Sequence, residues 1–218
     1  MPIKLILFDL DGTLVNTSTD LTNALNYALK PFNTRELTVE ETIKLVGEGI
    51  TRLIEKALEN ENHQQKMQAI ERFLDYYSKH LLDFSKTYPG VKETLEILSL
   101  YKKAVISNKR ENLSVKLLDG LDLLKFFNLV VGSDTTSQKK PSAIPVLYIL
   151  EQLHVAPDKA AIVGDSSFDI EAGKKAGIKT IAVTYGFRDK NTLIDADYTI
   201  DNFYDLPSVL DRNSLKLI

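Results

Sequence analysis

The stretch Ile3-Lys4-Leu5-Ile6-Leu7-Phe8-Asp9-Leu10-Asp11-Gly12-Thr13-Leu14 decides the fold. Leu5, Ile6, Leu7 and Phe8 form an unbroken apolar run, the pattern of a strand buried on both faces of a parallel sheet. Such a strand ends in two carboxylates only where something there binds them, because uncompensated buried charge is very costly. Gly12-Thr13 then turns the chain. Ligands of open α/β sheets bind at the carboxyl ends of strands, so Asp9 and Asp11 are candidates for metal binding and for attack on a phosphate ester. Taken alone, Asp-Gly reads more simply as a strand followed by a turn with an Asx cap. Its meaning depends on the rest of the chain.

Similar apolar runs recur at 103–107, 129–133, 160–164, 179–184 and 197–200. Helical patterns near 91–100, 110–120, 142–154 and 168–176 separate them. This alternation predicts βαβ units and a Rossmann-like, doubly wound parallel sheet. The interval 16–87 breaks the rule, with no convincing strand but with helical faces. Those faces are Leu21, Ala24, Leu25 and Ala28; Leu53, Ala57 and Leu58; and Ile70, Phe73, Leu74 and Tyr77. A crossover needs only about a dozen residues, so 16–87 is expected to be an inserted α-helical cap. The α/β core is then expected at 1–15 and 88–218. The hinges, near Val15–Thr17 and Ser85–Pro89, would hang the cap like a lid at the active end of the first strand.

Three further strand ends carry polar groups. Lys103-Ala104-Val105-Ile106 runs into Ser107-Asn108-Lys109, where a hydroxyl beside helix-starting N–H groups suits a phosphate oxygen. Ser107 or Asn108 could instead cap the following helix. Gln138-Lys139-Lys140-Pro141 is expected to open a helix with Pro141 near its first position. A lysine fixed there opposes the helix dipole unless an anion intervenes; a solvated lysine pair is the alternative. Ala161-Ile162-Val163-Gly164-Asp165 ends in a carboxylate, and Asp169 follows one helical turn later. An Asx turn with a dipole-favoured acid accounts for Asp169 but poorly for Asp165. Converging carboxylates need a cation, and hard oxygen ligands beside a phosphate point to Mg²⁺.

Composition narrows the classes. The chain has 218 residues, 44% hydrophobic and 26% charged, with a formal net charge of −3. That charge gives no support for a nucleic-acid or anionic-membrane partner. There is no cysteine, so disulfides, thiolate zinc sites and Cys nucleophiles are excluded. No apolar stretch reaches the roughly 18 residues of a membrane span, and the N-terminus has no signal-peptide pattern. A cytoplasmic protein is expected.

The four strand ends, in this order, resemble the motifs of the haloacid dehalogenase-like superfamily of hydrolases. Asp9-x-Asp11-Gly-Thr13 matches the first motif, Ser107 the second, Lys140-Pro141 the third and Gly164-Asp165-x-x-x-Asp169 the fourth. The resemblance spans essentially the whole chain. The insertion looks like that superfamily's C1-type cap, and Val46-Gly47-Glu48-Gly49-Ile50 looks most like the phosphoglycolate phosphatase branch. One departure is Ala143, where the branch commonly has a second proline. It is expected to change loop rigidity rather than chemistry.

The resemblance implies that Asp9 attacks phosphorus and forms an aspartyl-phosphate. Asp11 would protonate the leaving alkoxide and later deprotonate water. Mg²⁺ would be held by Asp9, the Asp11 backbone carbonyl and Asp165. Ser107 and Lys140 would bind phosphoryl oxygens, with Asp169 orienting Lys140 or the metal shell. Asn108 would contact substrate, and the glycines flanking Glu48, Gly49 among them, would allow close backbone approach to it. Arg52, one turn later, is a candidate for a substrate carboxylate; the alternative is that Gly47 and Gly49 only break one helix from the next and Arg52 is solvated. The expected partner is a small phosphorylated metabolite, and the protein a monomer or homodimer. A β-phosphoglucomutase-like phosphomutase is the nearest rival, and a non-catalytic binding protein on the same fold the more distant one.

Overall fold

The computed structural model describes residues 2–212; Met1 and 213–218, the outer ends of the expected core segments, lie outside the described residues. The first apolar run forms β1 (Leu5–Phe8), buried at every position. Ile6 and Phe8 enter one hydrophobic cluster and Leu5 and Leu7 another, so alternate side chains fill the two sides of the sheet. The chain continues through β2 (Val15–Asn16), α1 (Ser18–Leu29), α2 (Val39–Leu45), α3 (Gly49–Ala57), α4 (His63–His80) and β3 (Lys86–Thr87). It then alternates: α5 (Val91–Ile97), β4 (Lys102–Ile106), α6 (Glu111–Gly120), β5 (Leu129–Val131), α7 (Ile144–Gln152), β6 (Ala160–Gly164), α8 (Ser167–Lys175), β7 (Lys179–Val183), β8 (Tyr198–Ile200) and α9 (Leu206–Arg212).

Six strands form one parallel sheet in the order β5-β4-β1-β6-β7-β8. Phe8 is paired with Val105 on one side and Val163 on the other. The chain builds outward from β1 to β5, then returns to build from β6 to β8. The strand order therefore reverses beside β1, which places the switch-point crevice of a doubly wound sheet just beyond Phe8.

Two local expectations need correction. The interval 16–87 is not free of strand at its ends: β2 and β3 pair antiparallel, Val15 with Thr87 and Asn16 with Lys86. A two-residue ladder is too short to leave a periodic signature. Pro141 does not open α7. That helix starts at Ile144 with Pro145 in its first turn, and Lys140-Pro141 lies upstream, joined by a cis peptide bond. The dipole argument for Lys140 therefore fails, because Lys140 is not in a helix.

The four helices between β2 and β3 pack their apolar faces together. Leu21, Ala24, Leu25 and Ala28 of α1 share a core with Ile70, Phe73 and Tyr77 of α4, and that core is continuous with the Phe8 side of the sheet. Two of these helices start with reciprocal caps: the Thr38 hydroxyl accepts from Glu41 N (3.2 Å) while the Glu41 carboxylate accepts from Thr38 N (2.9 Å), and Asn62 and Gln65 do the same for α4. Buried Asp20 ties α1 to the returning chain by accepting from Phe84 N (3.0 Å), Ser85 N (2.8 Å) and the Ser85 hydroxyl (2.7 Å).

Candidate active site

Asp9 leaves β1 with its N–H still bonded to the Val163 carbonyl (2.9 Å), so the neighbouring strand fixes its position. The turn after it depends on Gly12, whose φ of +87° suits glycine and whose missing Cβ leaves room for the Asp165 carboxylate. Asp165 immediately follows β6 and accepts from Phe187 N at 2.6 Å. Asp169, in the first turn of α8, accepts from Ser166 N (3.1 Å) and the Ser166 hydroxyl (2.5 Å) through one oxygen.

Lys140 joins these pieces. Its Nζ lies 2.7 Å from Asp9 Oδ1, 2.6 Å from Asp169 Oδ1 and 2.8 Å from the Ile106 carbonyl. The ammonium is buried, which opposes its charge, but Asp169 and Asp9 outweigh burial and hold its pKa above the ordinary lysine value. Burial pushes Asp9 well above the usual carboxylate range; Lys140 opposes the shift, and Asp169 and Asp165 add to it. Burial and the Asp169 charge push Asp165 up to about 7, against the Phe187 N–H.

Oxygens of Asp9, Asp165 and Asp169 lie within 4.8 Å of one another. This hard-donor set, with more buried negative charge than Lys140 offsets, fits Mg²⁺. Asp169 already uses both oxygens, on Lys140 and Ser166, so Asp9 and Asp165 are the better fitted pair. The Asp11 carboxylate is turned elsewhere: its Oδ1 accepts from the Thr17 hydroxyl (2.6 Å) and Lys109 Nζ (2.5 Å). Lys109 also reaches the Tyr77 hydroxyl on α4, 2.8 Å away. Burial, partly offset by Lys109, raises the Tyr77 pKa to about 12.

Asp9, Asp11, Ser107, Asn108, Lys140, Asp165 and Gly49 all line one cavity between sheet and insertion. Ser107 is buried and does not cap α6; its hydroxyl accepts from Lys109 N at 3.2 Å. Asn108 donates to the Gly47 (2.7 Å) and Lys140 (3.0 Å) carbonyls, while its own Oδ1 is buried with no hydrogen-bond partner among the described residues. Arg52 is not brought in. Its side chain is 53% exposed and paired with Glu55 at 2.5 Å, since α3 turns its apolar Leu53 and Ile54 inward instead.

Arg188 does line the cavity and was missed in the sequence. It follows β7 and donates to the carbonyls of Ile43 (2.8 Å) and Val46, groups left unpaired where α2 ends. Lys139 Nζ donates to the Glu48 carbonyl at 2.6 Å. Asn108, Lys139 and Arg188 thus clasp the end of α2 and the residues after it, 43–48, by the backbone. Nothing in local periodicity signals such long-range contacts. Lys109 was more accessible to reasoning, because it sits beside Ser107 at a polar strand end.

The chain matches the family model described as haloacid dehalogenase-like hydrolase over residues 6–183. It is 41% identical over 213 residues to a phosphoglycolate phosphatase of Aquifex aeolicus, covering 97% of this chain and 98% of that protein. It is 39% identical over 211 residues to a phosphoglycolate phosphatase of Chromobacterium violaceum, covering 94% and 95%. The crystal structure of a protein from Haemophilus somnus, described as a predicted phosphoglycolate phosphatase, superposes with a TM-score of 0.90 at 30% identity, covering 95% of this chain and 97% of that one. Sheet order, strand-end carboxylates and these likenesses agree, and the chain belongs to the haloacid dehalogenase-like hydrolases.

Proposed function

We propose that this enzyme is a Mg²⁺-dependent phosphatase that hydrolyses small phosphate monoesters of the phosphoglycolate kind through Asp9. The observation that carries the reading is the buried Lys140 ammonium bridging Asp9 and Asp169, with Asp165 within reach of the same point. It leaves a carboxylate nucleophile beside a fixed cation at the end of β1. The names of the Aquifex and Chromobacterium relatives support the substrate class.

In this mechanism an Asp9 oxygen attacks phosphorus as the bond from phosphorus to the leaving oxygen breaks, and protonated Asp11 delivers its proton to that oxygen. Water then attacks the aspartyl-phosphate and passes a proton to Asp11; inorganic phosphate departs and the Asp9 carboxylate is restored. Thr17 and Lys109 hold the Asp11 carboxyl in place for both transfers. Ser107 and Lys140 bind the phosphoryl oxygens, and Lys140 offsets the charge they gather. Asp169 orients Lys140. Asp9, Asp165 and the Asp11 carbonyl would hold Mg²⁺, which when bound supplies Lewis-acid neutralisation between carboxylate and phosphate.

A panel of phosphorylated metabolites, ranked by kcat/KM with Mg²⁺ present, tests the substrate class; 2-phosphoglycolate should rank high. Sugar-phosphate interconversion in place of phosphate release would make the enzyme a mutase. Asp9→Asn should lower turnover by about a thousandfold or more while the circular dichroism spectrum is unchanged. Retained activity would remove Asp9 as nucleophile.

A further inference from the structure

A phosphoglycolate-like substrate presents a second anion, and the cavity must meet it. The insertion contributes an apolar wall, including Val46, Ile50, Leu53 and Phe73, which gives a carboxylate nothing to replace its hydration. Cations come only from the core side: Lys109, Arg110, Lys140 and Arg188 line the cavity among the described residues. Three of them are committed. Lys140 is held by Asp9 and Asp169, Lys109 by Asp11 and the Tyr77 hydroxyl, and Arg188 by the carbonyls of Ile43 and Val46.

Arg110 is different. Among the described residues its guanidinium has no carboxylate, carbonyl or aromatic partner, yet its backbone is firmly placed. Its carbonyl accepts from Ser114 N (3.0 Å) and the Ser114 hydroxyl (3.0 Å), and the preceding Lys109 carbonyl accepts from Ser133 N (2.9 Å). Gly132 packs so tightly against the peptide between Arg110 and Glu111 that a side chain there would collide with it. Arg110 immediately precedes α6, three residues before Leu113, and makes no side-chain capping bond there; both residues line the same cavity. A rigid backbone therefore presents an uncommitted, planar two-pronged donor, the geometry that recognises carboxylates.

The geometry points to Arg110 as the specificity-determining residue that binds the carboxylate of the leaving group. The inference rests on the phosphatase reading above and replaces Arg52 in this role. It is tested with the full-length enzyme and Mg²⁺ by comparing 2-phosphoglycolate with 2-hydroxyethyl phosphate, in which a hydroxymethyl group stands where the carboxylate was. Arg110→Ala should lower the ratio of the two kcat/KM values by about tenfold or more, mainly through KM for 2-phosphoglycolate, as expected for a lost charge-assisted bond. Arg110→Lys should fall between, since a lysine keeps the charge without the fork. A thermal melt confirms that each variant is folded. A ratio unchanged within about twofold, or an unsubstituted enzyme that shows no preference for the carboxylate, overturns the inference alone. An unsubstituted enzyme that releases no phosphate from 2-phosphoglycolate, 2-hydroxyethyl phosphate or p-nitrophenyl phosphate overturns the phosphatase reading and this inference with it.

Discussion

Tyr77, from the helical insertion, and Lys109, from the segment between β4 and α6, meet at 2.8 Å between hydroxyl and ammonium, and the same ammonium lies 2.5 Å from Asp11. One cation thus touches both the insertion and the proposed acid. Tyr77→Phe removes the insertion's half of this contact and leaves the rest of the buried ring in place. A charge-assisted hydrogen bond of this kind is worth about 1.5–3 kcal/mol, and urea denaturation should show a loss of that size. Activity should fall more on alkyl phosphates, which need a proton from Asp11, than on p-nitrophenyl phosphate.

Removing Lys140 should be more damaging to the fold than removing either of its partners. Lys140→Ala leaves Asp9 and Asp169 buried without their shared cation, and stranding a buried charge costs about 3–5 kcal/mol. Adding Asp169→Asn to that variant should recover part of the loss, because one of the stranded charges is gone. Denaturant midpoints of the two variants measure both effects.

The clasp of core side chains on residues 43–48, at the end of α2, should hold the insertion closed. Arg188→Ala frees the Ile43 and Val46 carbonyls, so amide hydrogen exchange around the end of α2 should accelerate. Arg188→Lys should restore little, since an ammonium lacks the fork that reaches two carbonyls. Mass-resolved exchange of the unsubstituted and variant proteins gives the comparison.

Metal should stabilise the folded chain as well as support turnover. Binding to the cluster of Asp9 and Asp165 offsets repulsion among buried carboxylates, so Mg²⁺ should raise Tm; linkage gives about 2.7 kcal/mol at a hundredfold excess over Kd. EDTA should abolish turnover, and Asp165→Asn should diminish the Mg²⁺-induced rise in Tm. A melt series against Mg²⁺ concentration checks this.

Much of the sheet was legible in the sequence because β1 and β6 are apolar at successive positions, which only a strand covered on both faces requires. The polar strand ends stood out for the same reason, as charge where burial was expected. What stayed hidden is long-range or orientational. The partners of Arg188 lie more than 140 positions away in the chain, and no local pattern announces them. A glycine turn and a one-turn spacing do not say which face of α3 is inward; Leu53 and Ile54 turn inward and leave Arg52 exposed. Pro141 and Pro145 carry the same helix-start signal, and only Pro145 lies in the first turn of α7.

The pairing of Val15 with Thr87 and Asn16 with Lys86 brings the two ends of the insertion together as adjacent rungs of a ladder. To the sheet, the whole helical segment is therefore equivalent to the turn of a hairpin. Segments of very different length could be spliced between those rungs without shifting the register of β1 against β4 and β6. The chemistry of the strand ends and the apolar wall that faces it are in this sense separately heritable. A graft that exchanges residues 17–85 for another helical insertion should reshape the apolar wall of the cavity while Arg110, on the core side, keeps the preference for a carboxylate, provided the graft keeps a buried contact like that of Asp20 with Ser85.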